Sequence, residues 1–202
     1  MAKIKLTKTE LKAQTDALKR FQRFLPMLQL KKQQLQGEIA GIVAKADSVA
    51  LREQELRKRL DGWVSLFAAG GEGLDDLVRV KSIRTSRANI AGVEIPVFGG
   101  IDTETKPLDL WATPAWLDDA VAALEGVLSL QSERAVLQEQ RRLVTEELRT
   151  TSQRVNLFEK VKIPSCKENI RVIKIAIGDE QTAAVTRGKI AKSRSPGEGE
   201  AA

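Results

Sequence analysis

LKAQTDALKRFQRFLPMLQLKKQQLQGEIAGIVAKADSVALREQELRKRLDGWVSLF, residues 11–67, carries two seams at heptad spacing. One runs Leu11, Leu18, Leu25, Lys32, Ile39, Ala46, Glu53, Leu60, Phe67; the other runs Gln14, Phe21, Leu28, Leu35, Ile42, Val49, Leu56, Trp63. Of these 17 positions 14 are apolar. A repeat of 3.5 residues held this long belongs to a helix winding on a partner helix, not to one face of a globular core. Gln14, Lys32 and Glu53 interrupt the seams; polar seam residues cost stability and can fix register. Pro26 removes a backbone donor inside the arm, at about 3 kcal/mol in a helix interior. The heptad phase runs through Pro26 unbroken, which favours a kink over a break.

The partner lies in the same chain. Thr113 is placed to cap a second helix with Pro114 in its first turn, and Asp118 and Asp119 suit a helix N-terminus. Leu117, Val121, Leu124 and Leu128 begin a seam, which slips and resumes as Leu137, Val144, Leu148, Val155 and Phe158. A second slip coincides with Pro164, after which come Ile163, Cys166, Ile170, Ile173, Ile177 and Ala184. Paired from the lobe end, the C-terminal arm overhangs the first by roughly 20 Å. Gly178 and Gly188 weaken helix formation there.

Between the arms, AGGEG breaks the helix, a short amphipathic helix is expected at Leu74–Val80, and a β-hairpin at roughly 82–98, where Ile90, Val93, Ile95 and Val97 are β-formers and Pro96 marks an edge. The expected fold is mainly α: a long antiparallel two-helix coiled coil with a small central lobe. Residues 1–68 form the first arm, 69–113 the lobe, 114–194 the second arm and 195–202 a disordered tail, in one structural unit.

Composition agrees with a thin helical shape. Charged residues are 30%, aromatics 4%, and Tyr is absent, so little bulk is available for a globular interior. The chain contains no His and one cysteine, Cys166, which rules out an intrachain disulfide and removes the commonest general base and metal ligands. No 18-residue apolar run suits a membrane span, and the N-terminal residues lack a signal-peptide core. A reducing, cytosolic setting is expected. Residues 1–60 hold 14 Lys/Arg against 6 Asp/Glu, residues 61–159 hold 10 against 16, and residues 160–194 hold 9 against 3. Folded back, both basic segments share one end.

No motif assembles chemistry. Gly70–Gly71 and Gly99–Gly100 fit no phosphate-loop pattern and read as turns. Asp118–Asp119 and Glu146–Glu147 are neighbours that point about 100° apart on a helix, so neither forms a converging acid/base pair. Cys166 lies on the apolar stripe, a small seam residue in preference to a reactive thiolate. Trp63, Trp111 and Trp116 suit either core packing or a protein-binding anchor. Aromatics do not interleave with the basic residues, which weighs against nucleic acid.

Three segments carry a resemblance. LPMLQLKKQQLQGEI (25–39), ANIAGVEIPVF (88–98) and KVKIPSCKENIRVIKIAIGDEQTAAVTRGKIAKSR (160–194) resemble the D subunit of the V-type/A-type rotary ATPases, in its bacterial form. The resemblance implies a non-catalytic central-stalk rotor component without a cofactor. Its paired terminal helices enter a ring of alternating A and B subunits, and its lobe meets the small F subunit of the stalk and the rotor-linking C/d subunit. It would be cytoplasmic, peripheral to the membrane through the complex, and would couple ATP synthesis or hydrolysis to cation translocation. On that basis Lys12, Lys19, Arg20, Arg23, Arg171, Lys174, Arg187, Lys189 and Lys192 are expected to face the A/B head, and Val93, Ile95 and Val97 to lie on the lobe surface near the other stalk subunits. The alternative reading is a self-associating coiled-coil adaptor or scaffold.

Overall fold

The computed structural model describes residues 4–61, 78–105 and 117–194. The elements are α1 (Lys8–Asp61), β1 (Val78–Ile90), β2 (Val93–Thr105), α2 (Leu117–Leu157), a π-helical turn (Phe158–Lys162) and α3 (Ile163–Arg194). Thr113, Pro114, the three tryptophans, Gly70–Gly71 and the tail 195–202 lie outside the described residues.

Thr7 caps the start of helix α1. Thr7 Oγ1 accepts a hydrogen bond from the Glu10 N–H at 3.3 Å, and the Thr7 carbonyl accepts from Leu11 N–H at 3.0 Å. Lys58 and Arg59 complement its last turn. The helix runs through Pro26 without a break. Every described residue of the two heptad seams is buried or half-buried, so the repeat marks the packed face.

The chain divides into two compact units. Residues 31–150 form one of them. Leu35, Ile42 and Val49, a heptad apart on α1, share a core with Leu137 and Val144 of α2 and with Ile95 of β2. Lys31 pairs with Glu147 at 2.6 Å and Arg52 with Glu133 at 3.5 Å, so partner numbers fall along α2 as they rise along α1. The two helical segments of this unit are therefore antiparallel.

The ribbon is longer than the sequence suggests. Its strands pair from Ile90↔Val93 out to Val78↔Thr105, and residues 78–80 are strand where helix was expected. The alternation Val78, Arg79, Val80, Lys81 matches a strand, and pairing with Thr103–Thr105 outweighs the local helical pattern. At the tip, Ala91 (φ 51°) and Gly92 (φ 85°) both take left-handed conformations, the requirement of a type I′ turn, while Asn89 Oδ1 accepts from the Gly92 N–H at 2.9 Å. Gly99 and Gly100 do not form the expected turn; they sit inside β2. Arg84 pairs with Gly100 and Thr85 with Phe98, so Gly99 has no cross-strand partner and forms a bulge. A Cβ on Gly100 (φ 121°) would lie 2.9 Å from Arg84 Nη2. Pro96 costs no ladder bond because a two-stranded ribbon leaves each strand with a free edge. Its carbonyl accepts from Gln140 Nε2 at 2.5 Å, and Thr103 Oγ1 donates to Glu125 Oε1 at 2.9 Å, which fastens β2 to α2.

Residues 1–30 and 151–202 form the other unit. Thr151, Val155, Cys166 and Ile173 are its buried residues on the return helices. Phe21 and Phe158 stack at an angle with centroids 5.0 Å apart, and Asn169 Nδ2 donates to Gln14 Oε1 at 3.4 Å, so this pairing is antiparallel as well. The slip expected near Pro164 has a specific form. Proline has no N–H and its ring crowds the carbonyl four residues back. The turn just before it widens: the Ile163 N–H reaches the Phe158 carbonyl, five residues back. Helix α3 then continues through Gly178 and Gly188 to Arg194. Residues 179–194 are all exposed, roughly 24 Å of uncovered helix at 1.5 Å per residue. Ala184, expected on the seam, is exposed with them, because the described part of α1 starts at Lys8, only six residues before the Gln14 that meets Asn169.

Candidate functional site

An open depression is lined by Gln138, Arg141, Arg142, Thr145, Glu146 and Arg149, all from the solvent face of α2. One helix face encloses nothing. Among the described residues no group of His, Cys, Asp or Glu side chains could hold a metal ion, and no helix is long and apolar enough to cross a membrane.

The candidate catalytic groups resolve into structural roles. Glu146 is bridged within α2 by Arg142 at 3.3 Å, whereas its neighbour Glu147 reaches across to Lys31. Adjacent carboxylates thus point to different partners, as helix geometry requires. Burial pushes the Cys166 thiol up, and the nearby Lys162 charge only partly counters it. Such a thiol holds its proton and behaves as a seam residue.

The nine cations singled out from the sequence all belong to the unit formed by residues 1–30 and 151–202, and all are exposed. Lys12, Lys19, Arg20 and Arg23 lie on α1; Arg171, Lys174, Arg187, Lys189 and Lys192 lie on α3. Arg171 is engaged with Glu168 at 2.6 Å; that hydrogen bond and charge raise the arginine's pKa and lower the carboxyl's. The other eight make no ion pair among the described residues, so their charge faces outward.

Val93, Ile95 and Val97 stand differently. Ile95 is 3% exposed and belongs to the core of its unit; Val93 packs against that core and Val97 is half-buried. Ile95 is therefore not a lobe-surface residue. Alternation along β2 turns these side chains toward the helices. The exposed part of the ribbon is instead β1 from Lys81 to Arg87, with Arg84 held to Asp102 at 3.2 Å.

The unit with the nine cations also exposes apolar residues that the seams did not flag: Phe24, Met27 and Leu30 on α1, and Val172, Ile175, Val185 and Ile190 on α3. The signal was present in the sequence. Phe24, Met27 and Leu30 lie off both heptad seams, where a solvated coiled coil carries polar residues.

Three polar residues stand on the seams. Gln14 meets Asn169 and donates to Glu10 at 2.8 Å. Lys32 is half-buried. Glu53 is 6% exposed and accepts from Arg57 Nη2 at 2.8 Å, Gln131 Nε2 at 3.4 Å and Arg134 Nη1 at 3.4 Å. Burial pushes its carboxyl up, but the hydrogen bonds from Arg57 and Gln131 and the charges of Arg57 and Arg134 outweigh it, leaving the pKa below the ordinary carboxylate value.

Comparison with known proteins agrees with this architecture. The family model described as the D subunit of ATP synthase matches residues 10–193. The V-type ATP synthase D subunit of Borreliella burgdorferi is 48% identical over 193 residues, covering 96% of this chain and 95% of the relative. The proteins of the same description from Chlamydia muridarum and Chlamydia trachomatis serovar L2 are 36% and 32% identical, each alignment covering 96% of both chains. A match of this length takes in both helical arms and the ribbon, and the chain belongs to the ATP synthase D-subunit family.

Proposed function

We propose that this chain is the non-catalytic central-stalk shaft of a V/A-type rotary ATPase, coupling ATP synthesis or hydrolysis in an A/B head to cation translocation in a membrane ring. Family membership supports the central-stalk role, and the observation that carries the finer reading is the distribution of charge. Nine exposed cations fall in one unit, and the final turns of α3 that bear Arg187, Lys189 and Lys192 are uncovered. Scattered cations give diffuse attraction to acidic loops of a surrounding ring, which suits a surface that must turn without sticking better than a deep apolar anchor does.

In this role residues 1–68 and 114–194 are the shaft and residues 69–113 the lobe that meets the F subunit and the rotor-linking C/d subunit. The complex would be peripheral to the membrane on the cytoplasmic side. The lobe surface offered to those partners is the exposed side of the ribbon, not Ile95. The adaptor reading needs a seam free to zip onto a second copy; here the seams are occupied within each unit by the chain's own return helices, which favours a monomeric shaft.

The test is reconstitution with the A, B, F and C/d subunits, with a bead attached to this chain to follow rotation. The triple variant R187E/K189E/K192E should lower ATP-driven cation transport or head assembly. Undiminished hydrolysis and pumping by that variant would remove the head-contact assignment. Sedimentation of the isolated chain as a dimer or higher species would favour the adaptor.

A further inference from the structure

Glu53 stands where the seam calls for an apolar side chain, seven residues after Ala46 and seven before Leu60. Yet it is buried, and both carboxylate oxygens are engaged from two helices. Arg57 on its own helix donates twice to Oε1, through Nε at 3.1 Å and Nη2 at 2.8 Å. From α2, Gln131 donates to Oε1 and Arg134 to Oε2, both at 3.4 Å.

A leucine here would fill the seam with an apolar side chain, as at its neighbouring positions Ala46 and Leu60. A leucine would also be less selective. An apolar heptad seam matches itself again after a slide of seven residues, about 10.5 Å. Dispersion contacts between leucines and isoleucines are undirected and re-form after the slide. The Glu53 bonds do not: the cross-helix pair is already near the limit of hydrogen-bond length, so a slide of even one residue, about 1.5 Å, breaks it.

The same stretch of α2 holds everything around it. Gly126 leaves room for Leu56, whose Cδ2 would lie 3.1 Å from a Cβ at that glycine. Glu133 pairs with Arg52, and Glu125 receives the Thr103 hydroxyl from β2. An axial slip at Glu53 would therefore carry the ribbon's attachment with it.

We propose that Glu53 is a register pin: a positioning residue that fixes the axial offset of α1 against α2, and with it the ribbon. On the central-stalk reading, on which this last consequence rests, the pin lets the paired helices carry torque without sliding.

The test uses the full chain with Cys166→Ser and spin labels at S48C and Q138C, exposed positions on α1 and α2. The unmutated pin should give one narrow label distance. E53L should stay folded, with a Tm within roughly 8 °C of the unmutated chain, while broadening or doubling that distance. E53Q, which keeps a hydrogen-bonding head, should retain the single distance. A narrow, unshifted distance in E53L overturns the proposal, as does a doubled distance in E53Q. In the reconstituted complex, E53L should lower the cations moved per ATP. A broadened distance with undiminished coupling would keep the pin and count against the shaft reading alone.

Discussion

Lys31 Nζ lies 2.6 Å from Glu147 Oε1, although the two residues are 116 positions apart in the chain. The pair ties the middle of α1 to α2 beside the core residue Leu35 and the half-buried Leu148. Both side chains keep about a third of their exposure, at 32% and 29%, so solvent screens the attraction. A double-mutant cycle with K31A and E147A should give a coupling energy of about 0.5 kcal/mol, shrinking further in 1 M salt. A coupling several times larger would mean the pair is drier than these exposures indicate.

Acid should weaken the contact around Glu53. Its native pKa lies below the ordinary value of 4.5, so the charged form is the one the folded state favours. The contribution is complete above the unfolded value and is lost as pH falls through the lower native one. E53Q has no charge to lose. The stability gap between wild type and E53Q, read by urea denaturation, should therefore be constant near neutrality and close as pH falls below the ordinary carboxylate value of 4.5. A gap that widens on acidification would reverse the sign assigned to this shift.

Leu35 and Leu30 of α1 stand at opposite extremes of burial and differ accordingly in expected effect. Leu35 is fully buried against Leu137, Val144 and Ile95, and Leu35→Ala should cost about 3 kcal/mol through lost transfer energy and the cavity left behind. Leu30, five residues earlier and 56% exposed, should change stability by less than ~0.5 kcal/mol when replaced by Ala. If Leu30 belongs to a partner-binding face, its loss would instead be read as weaker association in the reconstituted complex.

How much of this was legible beforehand follows from which interactions are local. The heptad seams were readable because periodicity encodes a face directly: from Leu11 to Leu60, no seam residue is exposed. The polar character of Glu53 was also readable, but its partners Gln131 and Arg134 were not, because they depend on the axial offset of α1 against α2. The ribbon tip at Ala91–Gly92 lay within the expected hairpin, yet its strands run further, since Val78–Val80 owe their state to Thr103–Thr105 and not to their own pattern. Ala184 carries the right residue type at the right spacing and still faces solvent, because periodicity reports a preference for burial, not the presence of a partner. For the nine cations proposed to face the head, charge and position were readable; nothing in one chain supplies the ring they would meet.

Glycines offer a prediction whose sign depends on backbone alone. Gly178 and Gly188 are inside α3 with no atom within 4 Å of where a Cβ would sit, so alanine meets open space. Each substitution should stabilise the helix by about 0.5–1 kcal/mol, by lowering the entropy of the unfolded chain and raising helix propensity. Gly100 is the opposite case. Its φ of 121° is one that side-chain-bearing residues rarely adopt, and a Cβ there would lie 2.9 Å from the Arg84 guanidinium, which must then shift. Gly100→Ala should cost roughly 1–3 kcal/mol and loosen the ribbon at the bulge, seen as faster hydrogen exchange across residues 82–86. Equal effects at Gly188 and Gly100 would show that the bulge conformation, rather than being imposed by the pairing of β1 with β2, relaxes freely when a side chain is added.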